Sequence, residues 1–346
     1  MGKIRRGPVD GKRRARNSKI VAKTRPVGRV EGVVPGQRLY SDFFGPLPEK
    51  TLGGGMAFGV ALDGNTDYSE LVVVESRKAE EVARWMEGVR AGLWAQQGSV
   101  MKELRVDGGS EYLGALRAWA RRHGIGVGTS APGQHQHNPY AERYWLGLLN
   151  KLRVVFLQSG APAFLAGEFA IALNTIRNML PTAKSLVYGR SPFELHTGKK
   201  PDVSKCLPLG SMVIVYDHNP SRGGVRRNKY MPRGRLGVYV GPCEIGARVY
   251  LFDTHCVTRR RLEDLHSEPD RWPFKERGYD PASGFLVELE RHAAMLRDRI
   301  SRSYLGEEEE QRRRAGLAKA GADEERKARL VNWWGKSGVE VWASLS

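Results

Sequence analysis

The chain has 346 residues, 40% of them hydrophobic and 27% charged, enough patterned apolar sequence for a sizeable core and more than one unit. Its formal net charge of +18 asks for a polyanionic partner, nucleic acid first, because each Lys or Arg set against a phosphate releases condensed counterions. Cys206, Cys243 and Cys256 are too few and too scattered for a disulfide framework or a four-ligand zinc site, and no long apolar run or apolar N-terminal signal core is present, so membrane insertion and secretion are not expected.

Residues 1–37 are short of large apolar side chains and dense in Lys and Arg, and read as a disordered basic arm that contacts DNA, directs nuclear entry or is a solvated linker. Arg38 to Phe44, Met56 to Leu62 and Leu71 to Val74 read as three short strands separated by Gly-Pro, Gly-Gly-Gly and Asp-Gly-Asn turns. Lys78 to Gln97 has helical spacing, with Val82, Trp85, Met86, Val89 and Leu93 on one face. A strand from Leu104 to Val106 then ends at Asp107, and a helix over Tyr112 to His123, a strand over Ile125 to Thr129 and a long helix over Asn138 to Gln158 follow. Strands followed by helix–strand alternation predict an RNase H-like α/β domain over residues 38–160: a mixed sheet with flanking helices.

Residues 161–205 predict a helical extension, its main helix running from Phe164 to Met179 and stopped by Pro181. The apolar period then changes to two, and Met212 to Tyr216, Leu236 to Val240, Val249 to Phe252 and Cys256 to Arg259 predict a small basic β barrel or sandwich over residues 206–270. Its loops carry Arg222, Arg226, Arg227, Lys229, Arg233 and Arg235, a density that suits phosphate backbones, although a merely soluble basic face has the same composition. Residues 271–346 read as a charged helical tail, most economically a solvated helix.

Three carboxylates stand out. Asp42 interrupts an otherwise apolar strand, where an ionised group is costly without a partner or a metal. Asp107 ends a second strand, and Glu142 stands in the first turn of the long helix, started by the N-cap Asn138 and by Pro139. Singly, each has a structural explanation: a turn former in Asp-Gly, or an acid favoured by the helix dipole. Together they supply the oxygens that two hard divalent ions about 3.5–4 Å apart require for phosphoryl transfer on DNA. The helix stripe Trp145, Leu148, Leu149, Leu152 and Phe156 turns Glu142 toward the sheet.

RVDGGSEY around Asp107 and GTSAPGQHQHNPYAERYW around Glu142, with 34 residues between the two acids, resemble the second and third acidic motifs of copia-type retrotransposon integrases. YSDFFGPLP around Asp42 is similar to the first motif. The segments IRNMLPTAKSLVYGRSPFELHTGKKP, YMPRGRLGVYVG and GARVYLFDTHCVTRRRLEDL resemble later landmarks, so that the likeness runs from about Arg38 to about Pro273. The resemblance implies an RNase H-like core, two Mg²⁺ or Mn²⁺ ions held by Asp42, Asp107 and Glu142, and 3′-end processing followed by strand transfer. It also implies that Asn138 and Arg143 touch DNA beside the site; Arg226, Arg227 and Lys229 are expected as further DNA contacts from the basic density of the β module's loops. DNA, both element ends and target, is the implied partner, with homo-oligomers assembled on it, no membrane, and a nuclear location reached through a cytoplasmic particle. Asp63 and Asp67 fall near an acidic pair common in the family, but read as turn residues. The family's N-terminal zinc module has no counterpart, since no His or Cys precedes His123, and Pro139-Tyr140 stand where Gly-Val is usual. Without protease or reverse-transcriptase signatures, the chain reads as an excised or degenerate piece of a polyprotein. The alternatives are a non-catalytic nucleic-acid-binding or assembly protein that keeps a decayed integrase fold, and an RNase H-type nuclease, which leaves the β module unexplained.

Overall fold

The computed structural model describes residues 33–98, 100–106, 114–129, 138–216, 233–278 and 283–304. Strands β1 (Arg38–Phe44), β2 (Ala57–Asp63) and β3 (Ser69–Val74) form an antiparallel meander, as their turn-separated apolar runs predict. Helix α1 (Ala79–Gln97) carries the chain across to β4 (Glu103–Val106), parallel to β1, and α2 (Ala115–Arg122) carries it on to β5 (Gly126–Thr129), parallel to β4. Parallel neighbours need such crossovers, so the change from turns to helices in the sequence sets the change in strand direction. The resulting order, β3-β2-β1-β4-β5, is the mixed sheet of an RNase H-like fold.

Period-two alternation sorts β1 between two layers. Leu39 and Phe43 join Val82, Met86, Leu116 and Trp119 beneath α1 and α2. Tyr40 and Phe44 face the opposite layer, built around Trp145, Leu149 and Phe156 of α3 (Pro139–Ser159). Asp42 therefore shares the α3 side of the strand with Tyr40 and Phe44. Every residue of β2 is buried, as befits a strand covered on both faces.

A 3-10 turn at Ala163–Leu165 precedes α4 (Ala166–Met179), so the helix expected from Phe164 begins later than its apolar spacing suggested. The short helix α5 (Pro192–Thr197) follows, closed at its start by a capping box between Ser191 and Glu194. The second sheet contains β6 (Met212–Tyr216), β7 (Gly234–Cys243), β8 (Gly246–Leu251), β9 (Cys256–Arg260) and β10 (Leu265–Glu268), all antiparallel, in the order β10-β6-β7-β8-β9. Among the described residues no ladder joins its two end strands, so the expected barrel or sandwich is not confirmed. Val213, Val238, Tyr239 and Val249 of this sheet belong to the same buried cluster as α3 and α4. The two meet closely at Gly241, where a Cβ would lie 2.6 Å from that of Ala172 on α4 and the backbone φ is +148°.

Helices α6 (Pro273–Glu276) and α7 (Ser283–Tyr304) end the described chain. The tail was expected to be a solvated helix, but α7 is docked: Phe285, Leu289 and Ala293 are buried against the α3 layer, and the Phe285 ring meets Phe156 edge-on at 5.2 Å. The apolar stripe at i, i+4 and i+8 was present in the sequence but lay among charged residues that dominated its composition. Burying a Phe or Leu this completely stabilises the contact by about 1.5–3 kcal/mol.

Candidate active site

Asp42 and Glu142 are brought together by β1 and the first turn of α3. The Asp42 carboxylate is held in one orientation: its Oδ1 accepts from the Phe43 backbone N–H at 2.8 Å, and its Oδ2 accepts from the Trp145 indole N–H at 3.0 Å. Trp145 stands three residues after Glu142 on α3, so the indole that fixes one acid is one helical turn from the other. Glu142 is 4% exposed. Asn138 fixes where the helix starts: its Oδ1 accepts from the Ala141 N–H at 3.2 Å, and Pro139 follows at the first helical position. The Asn138 Nδ2 is buried with no hydrogen-bond partner among the described residues.

A cavity of about 250 Å³ opens between these groups. Asp42, Asn138, Glu142 and Trp145 line one side of it, and His292, Met295 and Leu296 of α7 line the other. The His292 ring meets Phe44 edge-on at 5.0 Å. Sequence reasoning missed these three α7 residues and the donor role of Trp145, which it placed only on the buried stripe. The three-residue step from Glu142 to Trp145 was the available signal for the tryptophan. For the α7 residues the only signal was their spacing along one helix face.

Tyr140 braces the same helix start on its outer flank. Its ring packs at a tilt against Tyr40 with a centroid distance of 4.9 Å, and its hydroxyl donates to Asp67 Oδ1 at 2.7 Å. Burial and the neighbouring Asp67 carboxylate push this phenol's pKa up. Arg177 of α4 completes the brace with an ion pair to Asp67 at 3.0 Å. Asp63 is 1% exposed; it accepts from the Asn65 N–H at 3.0 Å and from the Thr66 hydroxyl at 2.5 Å, with His196 Nδ1 3.8 Å away. Burial opposes ionisation of Asp63, but the nearby His196 ring and hydrogen bonds from Thr66 and backbone N–H groups outweigh it and hold its pKa below the usual carboxylate range. Both aspartates are engaged by protein partners around the β2–β3 turn, in keeping with their reading as turn residues.

Comparison with known proteins follows from this geometry. No family model matches the chain. Over 211 residues, 60% of its length, it is 29% identical to the Transposon Ty1-DR6 Gag-Pol polyprotein of Saccharomyces cerevisiae, and it is equally similar to the Ty1-NL2 polyprotein of the same yeast. The chain is related to the copia-type Gag-Pol polyproteins. The match spans 11% of the length of each yeast relative. Among solved structures, the catalytic core domain of BIV integrase overlaps 46% of this chain and 93% of its own, at 17% identity and a TM-score of 0.34. A simian T-cell lymphotropic virus intasome in complex with PP2A regulatory subunit B56 gamma overlaps 71% of this chain and 83% of its own, at 15% identity and a TM-score of 0.37. These overlaps are partial, and the fold stands on its own strand order.

Asp42 and Glu142 line one cavity, while the third acid, Asp107, lies outside the described residues, as do Arg226, Arg227 and Lys229. Among the described residues no group of three His, Cys, Asp or Glu side chains is placed to hold a metal. The chemistry of the two acids present still fits a hard divalent ion, since carboxylate oxygens are the donors that Mg²⁺ and Mn²⁺ prefer. Arg143, next to Glu142 in sequence, is exposed. In the second sheet Arg235 is committed to Asp253 through two bonds of 2.7 and 2.8 Å, and Arg233 donates to the Tyr216 hydroxyl at 3.2 Å. No helix among the described residues is long and apolar enough to cross a membrane.

Proposed function

We propose that the chain is the integrase part of a copia-type element, which trims DNA 3′ ends and joins them to target DNA with Asp42, Asp107 and Glu142 as its acidic set. The observation that carries this reading is the shared cavity of Asp42 and Glu142, two carboxylates far apart in sequence that β1 and α3 bring to the lining of one cavity. Bound Mg²⁺ or Mn²⁺ would supply the charge that activates the attacking oxygen and stabilises the leaving one. The protein's own part is preorganisation. Trp145 and the Phe43 N–H hold the Asp42 carboxylate, and the capped start of α3 holds Glu142. The Asn138 Nδ2 is a buried donor available to a phosphate oxygen, which supports its reading as a DNA contact, and the exposed Arg143 suits the neighbouring backbone. The net charge of +18 supports DNA as the partner. Assembly of several copies on DNA, Arg226, Arg227 and Lys229 as backbone contacts, and nuclear residence belong to the same reading.

Glu142→Gln tests it, because the change keeps side-chain size and removes one ligand charge. Full-length protein is incubated with Mg²⁺ or Mn²⁺ and a duplex carrying the element's ends, and joined products are counted. Joining should fall by a factor on the order of a thousand, with DNA affinity nearly unchanged. If wild type binds the duplex yet joins nothing, the chain is instead a DNA-binding scaffold built on an integrase fold.

A further inference from the structure

Two tyrosines bracket Glu142 on α3. Tyr140 and Tyr144 stand one helical turn apart and share a face, while Glu142 lies between them in sequence and points to another side. Both hydroxyls connect α3 to the turn between β2 and β3. That of Tyr140 donates to Asp67 Oδ1 at 2.7 Å, and that of Tyr144 donates to Asn174 Oδ1 of α4 at 2.8 Å. The same Asn174 oxygen accepts from the Ser69 hydroxyl at 2.5 Å, so one α4 side chain ties Tyr144 to the first residue of β3.

Arg177 joins the two branches. Its guanidinium pairs with Asp67 Oδ1 at 3.0 Å, donates to the Asp67 carbonyl oxygen at 2.7 Å and to the Ser69 hydroxyl at 3.3 Å, and lies 5.2 Å from the centroid of the Tyr144 ring. Asn178 secures the far end, donating to the Ser69 carbonyl oxygen at 2.7 Å and accepting from the Ser69 N–H at 3.0 Å. Asp67, Ser69, Asn174 and Asn178 are all buried, where losing one partner leaves another polar group unpaired, so the members hold one another in register. The turn alone does not explain Asp67. Its φ is +63°, a left-handed conformation that glycine adopts without strain, and the carboxylate adds the acceptor that Tyr140 and Arg177 use.

We propose that Asp67 is a positioning residue for Glu142. Directly through Tyr140, and through Arg177 to Tyr144, it holds the first turns of α3 against the β2–β3 turn and so sets where the Glu142 carboxylate stands relative to Asp42. Asp67 itself does not line the cavity. The consequence for metal binding rests on reading that cavity as the site of DNA joining: an ion held by carboxylates binds more weakly when the groups that orient a ligand are lost.

The test uses the full chain and three variants. Asp67→Gly removes the carboxylate and suits the positive φ, and Tyr140→Phe removes one hydroxyl but keeps the ring against Tyr40. Val238→Ala, in the second sheet, controls for a general loss of stability. Amide hydrogen exchange is followed over residues 141–145 and 148–156 of α3 without DNA, and Mn²⁺ affinity is read from the paramagnetic resonance signal of the free ion. In Asp67→Gly exchange over residues 141–145 should quicken several-fold with residues 148–156 unchanged, and Mn²⁺ affinity should fall several-fold. Tyr140→Phe should act in the same direction to a smaller extent, and it decides the matter if Asp67→Gly does not fold. Unchanged exchange in the folded variants, or the same local change in Val238→Ala, overturns the proposal. A wild type that binds no Mn²⁺ and joins no DNA sinks the integrase reading, and the exchange comparison then decides the positioning role alone. Joining by the wild type that Asp67→Gly matches, with exchange unchanged, leaves the integrase reading standing and removes the positioning role.

Discussion

Trp145 shows how much one side chain can settle. Its indole body fills the layer between α3 and the first sheet, while its N–H reaches back to Asp42, so a residue read as part of an apolar stripe also orients an acid. Glu70 on β3 is the contrasting case, a carboxyl whose burial pushes its pKa from 4.5 up to about 7. An acid raised in this way favours the folded state fully below its unfolded pKa, and that contribution disappears as pH climbs through the folded value. Stability should therefore decline between about pH 4.5 and 7 in the wild type. Glu70→Gln should flatten that part of the profile and raise the thermal midpoint above neutrality, read by calorimetry across the pH range; a profile that stays unchanged would mean that Glu70 is solvated. At this scale the sequence was informative where chemistry and local position coincide. Asp42 stood out because a charge in an apolar strand is anomalous, and Glu142 because it sits beside a capped helix start. The polar brace of Tyr140, Asp67 and Arg177 was not legible, because its members come from three elements whose mutual placement no local pattern encodes.

Helix α3 is the element on which the site depends, and its first turn is determined by few residues. Asn138→Ala removes the side-chain acceptor for the Ala141 N–H, which should cost about 0.5–2 kcal/mol, seen as a lower thermal midpoint. It also deletes the buried Nδ2, so joining should fall by more than the stability loss accounts for. Asn138→Asp, which keeps the cap and lacks the donor, separates the two roles: it should restore the midpoint and leave joining impaired. Element boundaries followed periodicity closely where strands are flanked by turns, as in β1 and β6, whose observed limits match the apolar runs. Helix α5 and strand β10 were not anticipated, being only 6 and 4 residues long, too short to show a period. The misreading of α7 has a different cause. Its charged residues occupy the solvent face, and a count of charge over the whole segment hides an apolar stripe one residue wide.

At the scale of the molecule the two sheets are not independent. One buried cluster runs from Phe44 and Phe58 of the first sheet, through α3 and α4, to Val238 and Tyr239 of the second and on to Phe274 and Leu289, and the Arg248–Glu168 ion pair bridges β8 and α4. Residues 33–304 should therefore unfold in one cooperative step, with tryptophan fluorescence and far-ultraviolet circular dichroism tracing the same urea midpoint. Two separated transitions would contradict the shared cluster. The sequence announced two sheets by its change of period, but which helix each would pack on is a long-range matter that composition and spacing do not carry. The route of the chain also bears on synthesis. A domain emerging from the ribosome folds from its N-terminal side first. β1 and α3 leave the tunnel early, but the wall of their cavity formed by His292 to Leu296 is made much later. Throughout that interval a nascent chain carries its acids uncovered and part of its core without a partner, until the turns of α7 from His292 to Leu296 emerge and bring the interval to a close.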